Sequence, residues 1–238
     1  MFDPLSNFDW ATLYERYDEL CPRFEPRALF LSSIPSRPQS DRALYRALTE
    51  RFQTEFYSPT GVSLETYEAM LYWKLYSQPA AVKRTCSRLH EDAILRRATS
   101  ALLRAVCPQE ISGASRSIVE QIQLLGRYGI WGMKSSAALA VKTTFLHFVA
   151  PTINPIFDKQ VLLAVGVKER NANQKIELLQ PYASQAKMLA EKYSQDLKLF
   201  SCESPIRLID MALWVIRGTR ISTPAESTDR RSSRRAIT

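Results

Sequence analysis

Glycine is scarce in this chain, seven in 238 residues, and the strict apolar–polar alternation of half-buried strands is nearly missing. Without that period-two signal a sheet fold has little to build on, and an all-α fold is expected. Cysteine is scarce too: Cys21, Cys86, Cys107 and Cys202 stand apart, with no C-x-x-C pair and no short metal spacing. This excludes a zinc ribbon and a disulfide scaffold, and reads as idle thiols in a reducing cytosol. Two histidines, His90 and His147, have no paired ligand partner, which argues against a metallohydrolase. No cofactor and no metal are expected. Long apolar runs are absent as well, and the start "MFDPLSNFDW" lacks the basic residues and apolar stretch of a signal peptide. The expectation is a soluble, cytoplasmic, monomeric protein with no membrane partner.

What the chain has in plenty is positive charge. The formal net charge is +8, with a pI near 9.4. Arg220, Arg230, Arg231, Arg234 and Arg235 against Glu226 and Asp229 put +3 of that in the tail and leave +5 for the body. Such a balance favours polyanions, because each neutralised phosphate releases counterions, although an ordinary domain can also carry it.

Helix signals follow one another along the chain. Asp9 precedes a helix over about 10–20, and Ser40 precedes one whose Ala43, Leu44, Ala47, Leu48 and Phe52 share a face. Ser63 starts a third that stops before Pro79. Others fit about 80–106, 114–127, 135–149, 158–165, 172–198 and 204–217, with Pro181 expected to kink or split the long 172–198 segment. "SIPSRPQS" reads as a linker, and residues 220–238 are too poor in apolar residues to fold.

The densest information lies in 124–165, "LLGRYGIWGMKSSAALAVKTTFLHFVAPTINPIFDKQVLLAV". Gly126, Gly129 and Gly132 fall within seven residues between two helical patterns. Such a cluster permits positive φ and a close approach to main-chain N–H groups, and Lys134, Ser135 and Ser136 stand at the mouth of the next helix, where a phosphate is favoured. The plainer alternative is an αα-hairpin whose glycines only allow close packing. Further on, Asn154 and Pro155 end one segment and Asp158 opens a short helix. A carboxylate there can be fixed by the helix's free N–H groups and kept ionised, or be simply a cap.

Taken together, Trp131-Gly132-Met133-Lys134-Ser135-Ser136-Ala137, the aspartate in "NPIFDKQV" and the closing "SPIRLIDMALWVIRG" resemble the helix-hairpin-helix DNA glycosylases over about residues 115–217. The chain looks like an outlying member, lacking the four-cysteine iron-sulfur motif that some members carry. The resemblance implies a two-lobed helical unit over 1–219, with one lobe of about 40–149 and another made of 1–39 plus 150–219. It implies that Tyr128, Gly129, Trp131, Gly132, Lys134 and Ser135 hold double-stranded DNA, and that Asp158 is catalytic. Trp73, Tyr72 and Tyr76 on the "YEAMLYWKLY" helix are candidates to line a base pocket by stacking, although aromatics at helical spacing also make core. His147, set among Phe145, Leu146 and Phe148, reads as a core histidine bonded to backbone.

Lys134 has three readings: a nucleophile on the sugar, a phosphate contact, or a solvated lysine. It lies 24 positions before Asp158, a longer interval than is usual in the family, which favours a monofunctional enzyme with water as the nucleophile. The expected activity is release of a damaged or modified base, with modified phage DNA as one conceivable target. The alternatives are a non-catalytic helix-hairpin-helix DNA-binding protein, and a helical interaction protein of a defence system.

Overall fold

The computed structural model describes residues 3–21, 40–75, 94–99, 101, 117–130, 132–133, 138–169 and 171–222. Every regular element among them is helical. A 3-10 turn, Trp10–Thr12, leads into α1 (Leu13–Leu20), followed by α2 (Asp41–Phe56) and α3 (Leu64–Lys74). Residues 94–99 are helical, then come α4 (Ile118–Gly126), α5 (Leu139–Val149) and α6 (Lys159–Ala164). Two 3-10 turns lead to α7 (Leu179–Lys192), α8 (Ser194–Leu197) and α9 (Pro205–Ser222). No helix among the described residues is long and apolar enough to cross a membrane.

Short-range chemistry fixes the starts. Asp9 accepts from Ala11 N at 3.2 Å, Ser40 from Ala43 N at 3.2 Å and Ser63 from Thr66 N at 3.3 Å. Ser117 and Glu120 close a reciprocal capping box on α4. Each cap satisfies a donor that the helix cannot, and is worth about 1 kcal/mol. Pro181 departs from expectation. It neither kinks nor splits α7, because the helix begins only at Leu179 and the proline falls in its first turn, where no intrahelical partner exists for the missing N–H.

The inner face of α2 also differs from the sequence reading. Leu44, Leu48 and Phe52 are buried as expected, but Asp41, Tyr45 and Phe56 join them, while Ala43 and Ala47 are only half-buried. Polar hooks rotate that face inward: Asp41 and Tyr45 both meet partners in the interior. Helix α3 is apolar nearly all round and is buried accordingly, including Tyr67, Met70, Tyr72 and Trp73.

Helix α9 packs on α1, α6, α7 and α8, while α2, α3 and α5 pack on one another and α4 lies against α5 and α7. One continuous apolar core runs through all of these. Phe52 stacks on Phe148 with centroids 5.2 Å apart and meets Phe145 edge-on at 5.6 Å. Through this core runs Arg207, only 2% exposed. Its guanidinium donates to Tyr17 Oη at 2.7 Å, to Asp41 Oδ1 at 3.0 Å and to Asp210 Oδ2, and lies 4.5 Å from the centre of the Tyr45 ring. The N-terminal, C-terminal and α2 segments are thus tied by one buried cation. Removing any single partner would leave charge stranded in the core.

Candidate functional site

The loop between α5 and α6 is held by α5 side chains. Asn154, 2% exposed, donates through Nδ2 to Gln121 Oε1 and to Leu146 O, both at 3.3 Å. The carbonyl of Asn154 accepts from His147 Nδ1 at 2.7 Å, and Phe157 N donates to Thr143 Oγ1 at 3.0 Å. Since the carbonyl can only accept, Nδ1 carries the proton and Nε2 accepts from Tyr45 Oη at 2.8 Å. Burial, together with the nearby positive charges, depresses the His147 pKa to about 3, so the ring is neutral. His147 is a core histidine bonded to backbone, as the sequence suggested, and it locks the loop that leads to Asp158.

Asp158 takes extended backbone angles, φ −130° and ψ 172°, and caps α6. Its Oδ1 accepts from Gln160 N at 2.9 Å and from Val161 N at 3.1 Å. Its Oδ2 meets Lys74 Nζ at 2.9 Å, the two side chains being 18% and 12% exposed. Burial opposes the charged carboxylate, but the Lys74 charge and hydrogen bond and the two backbone N–H groups outweigh it, and the Asp158 pKa lies below its ordinary value. A carboxylate offers about four lone-pair directions, and the described residues engage three, so one acceptor direction is left unused among them.

Behind this pair stands Asp210 of α9. Burial raises its pKa to about 6; the Asp158 charge pushes the same way, while Arg207 and Lys74 pull it down. Asp41 is likewise raised by burial against the opposing pull of Arg207 and Tyr17. Tyr182 Oη is buried, makes no hydrogen bond with any described residue, and its ionisation is opposed first by burial and then by Asp210 and Asp158. Gln160 Oε1 is also buried and unpartnered. Asp158 is therefore paired with Lys74 and coupled electrostatically to a second carboxylate, Asp210, and to the Tyr182 phenol, while Arg207 acts on Asp210. The sequence alone does not mark Lys74, Arg207, Asp210 or Tyr182 as site residues. Two charges three positions apart inside the apolar run "PIRLIDMALWVI" were the available signal for Arg207 and Asp210.

The remaining candidates fall as follows. Gly129 and Gly132 both adopt positive φ, 60° and 79°, as a glycine-built hairpin requires, and Tyr128 is half-buried against the core. Met133 N donates to Ile130 O at 2.9 Å, closing the turn. Trp131, Lys134, Ser135 and Tyr76 lie outside the described residues. Tyr72 and Trp73 are core residues, 4% and 8% exposed, with the Trp73 ring against Tyr45, Phe148 and Arg207. Stacking of a base on either would need that packing to open.

In comparisons with known proteins, the chain matches no family model, no curated protein and no solved structure.

Proposed function

We propose that this protein is a monofunctional DNA glycosylase: it binds duplex DNA, releases a damaged or modified base by cleaving its N-glycosidic bond, and leaves an abasic site. The observation that carries the reading is Asp158, a carboxylate held ionised and fixed in orientation by two backbone N–H groups and Lys74, with one acceptor direction unused.

Breaking an N-glycosidic bond builds positive charge on the sugar. A preorganised anion beside the anomeric carbon stabilises that charge without reorganising at the moment of reaction, and its free lone pair can orient the attacking water. In this role Asp158 acts on the reacting atoms, and Lys74 is a positioning residue that keeps the carboxylate charged. The target base must leave the duplex stack to reach it. The hairpin around Gly129 and Gly132, with Lys134 and Ser135, grips the strand through phosphate contacts, which position without reading sequence.

The cap geometry of Asp158 supports a second reading as well. Two N–H bonds to α6 account for an aspartate at this position without any substrate, as in a non-catalytic DNA-binding protein. One experiment separates the two. Duplexes carrying a panel of damaged bases and hypermodified phage-type bases are incubated with the protein and scored for abasic sites. Release of a free base, falling by roughly two to three orders of magnitude in Asp158→Asn with DNA binding retained, is the expected result. Near-normal turnover in the variant removes Asp158 from the mechanism, and binding without release across the panel favours the non-catalytic reading.

A further inference from the structure

The hairpin side of the molecule holds a lysine that neither the cap nor the buried ionic cluster uses. Lys142 lies on α5 and is only 4% exposed, yet it has no hydrogen bond and no ion pair with any described residue. Its ammonium ends beside the C-terminus of α4, where a Cβ built on Gly126 would lie 3.7 Å from Nζ. Gly126 itself is exposed, so the missing side chain leaves the ammonium close to the surface at the base of the hairpin. Arg127, exposed, follows directly, and Gly129 and Gly132, with positive φ, come three and six residues after Gly126.

Long cationic side chains usually carry the head out to water or into a carboxylate. This one does neither fully, and burial lowers its pKa. A buried cation that no described residue compensates gains most from an anion that arrives with the ligand. In a chain of net charge +8, the anion it fits is one repeated along a polyanion.

We infer that Lys142, reaching the surface through the space left by Gly126, is the anchor for one phosphodiester of a bound nucleic-acid strand at the foot of the hairpin. This extends the proposed DNA binding to a named contact. It rests on the nucleic-acid part of that reading and not on catalysis by Asp158.

The test is fluorescence anisotropy with a plain duplex carrying no modified base, titrated with salt. Each phosphate neutralised contributes about −0.9 to the slope of log affinity against log salt, so losing one contact costs roughly eightfold at 0.1 M salt. Lys142→Met keeps the stem and removes the charge, and should flatten the slope by about one with that loss of affinity. Gly126→Asp leaves the lysine in place and supplies it with an internal partner, since the site tolerates a Cβ at ordinary contact distance; it should match or exceed the loss, while Gly126→Asn should not. Competition by inorganic phosphate at millimolar concentration, equal for wild type and Lys142→Met, marks the site as one for the strand; competition lost in the variant marks a site for free phosphate and overturns the assignment. An unchanged salt slope in both Lys142→Met and Gly126→Asp, in protein that still binds DNA, overturns the lysine's role and leaves the glycosylase reading standing. Absence of DNA binding in the wild type overturns both.

Discussion

Asp210 gives a stability prediction whose size follows from its surroundings. Its pKa rises from 3.8 to about 6, chiefly through burial and in part through the Asp158 charge. A carboxylate whose folded pKa exceeds its unfolded one favours the fold when protonated: that stability is fully present below pH 3.8 and is lost as pH rises through 6. The gap amounts to roughly 3 kcal/mol. His147 has the opposite sign. Its pKa falls from 6.5 to about 3, so its contribution is present above pH 6.5 and is lost as pH falls. Between about pH 4 and 6 the unfolded chain therefore holds a proton on His147 while the folded chain holds one on Asp210, and the two slopes offset each other. Asp210→Asn imitates the protonated acid and removes its titration. Wild type should show a nearly flat contribution from this pair across that window, whereas the variant should gain stability with rising pH at up to about 1.4 kcal/mol per unit. Urea unfolding at pH 4, 5, 6 and 7, followed by tryptophan fluorescence, reads the difference, with the m-value checked for constancy. Relative to wild type, the variant should improve by roughly 3 kcal/mol from pH 4 to 7. Parallel curves for the two proteins would refute the burial of an Asp210 that titrates near 6.

The parts of this structure legible in the sequence are those that depend on neighbours within a few positions. Ser40, Ser63 and Asp158 were readable as caps because a side-chain oxygen, a free N–H two or three residues on and an apolar period all lie in one short window. The glycines at 129 and 132 were readable because a cluster of the scarcest flexible residue between two helices has few other uses. His147 was readable from its apolar flanks. What stayed hidden depends on distant chain. Lys74 is 84 positions from Asp158, and Arg207 is 166 from Asp41 and 190 from Tyr17. No local pattern assigns such partners, and Arg207 lies inside a run whose apolar period explains itself without it. Lys134 stands out by its motif, and among the described residues the lysine that the fold brings to Asp158 comes from the end of α3. Pro181 is ambiguous in the sequence because a proline signals where a helix cannot continue and equally where one begins; only the register decides.

Two further outcomes concern the lysines. Lys74→Met should leave Asp158 with its backbone donors but without the charge that offsets burial; its pKa should rise, the acid limb of base release should move to higher pH, and stability should drop by about 1–3 kcal/mol, less than for a fully buried pair because both side chains keep some exposure. An unmoved acid limb would detach Lys74 from the chemistry. The proposed reaction, with water as the nucleophile, makes a separate prediction. An amine attacks only through its lone pair, whereas Lys74 Nζ is engaged as a donor to the Asp158 carboxylate. The resemblance implies a shorter interval than the 24 positions between Lys134 and Asp158, and on that ground we propose water as the nucleophile. A duplex with a preformed abasic site isolates this question from the identity of the base: with borohydride present, the protein should form no covalent adduct, and strands should break only after hot alkali. An adduct that disappears in Lys74→Gln, or one that disappears in Lys134→Ala, would name the attacking amine and replace water in the reaction.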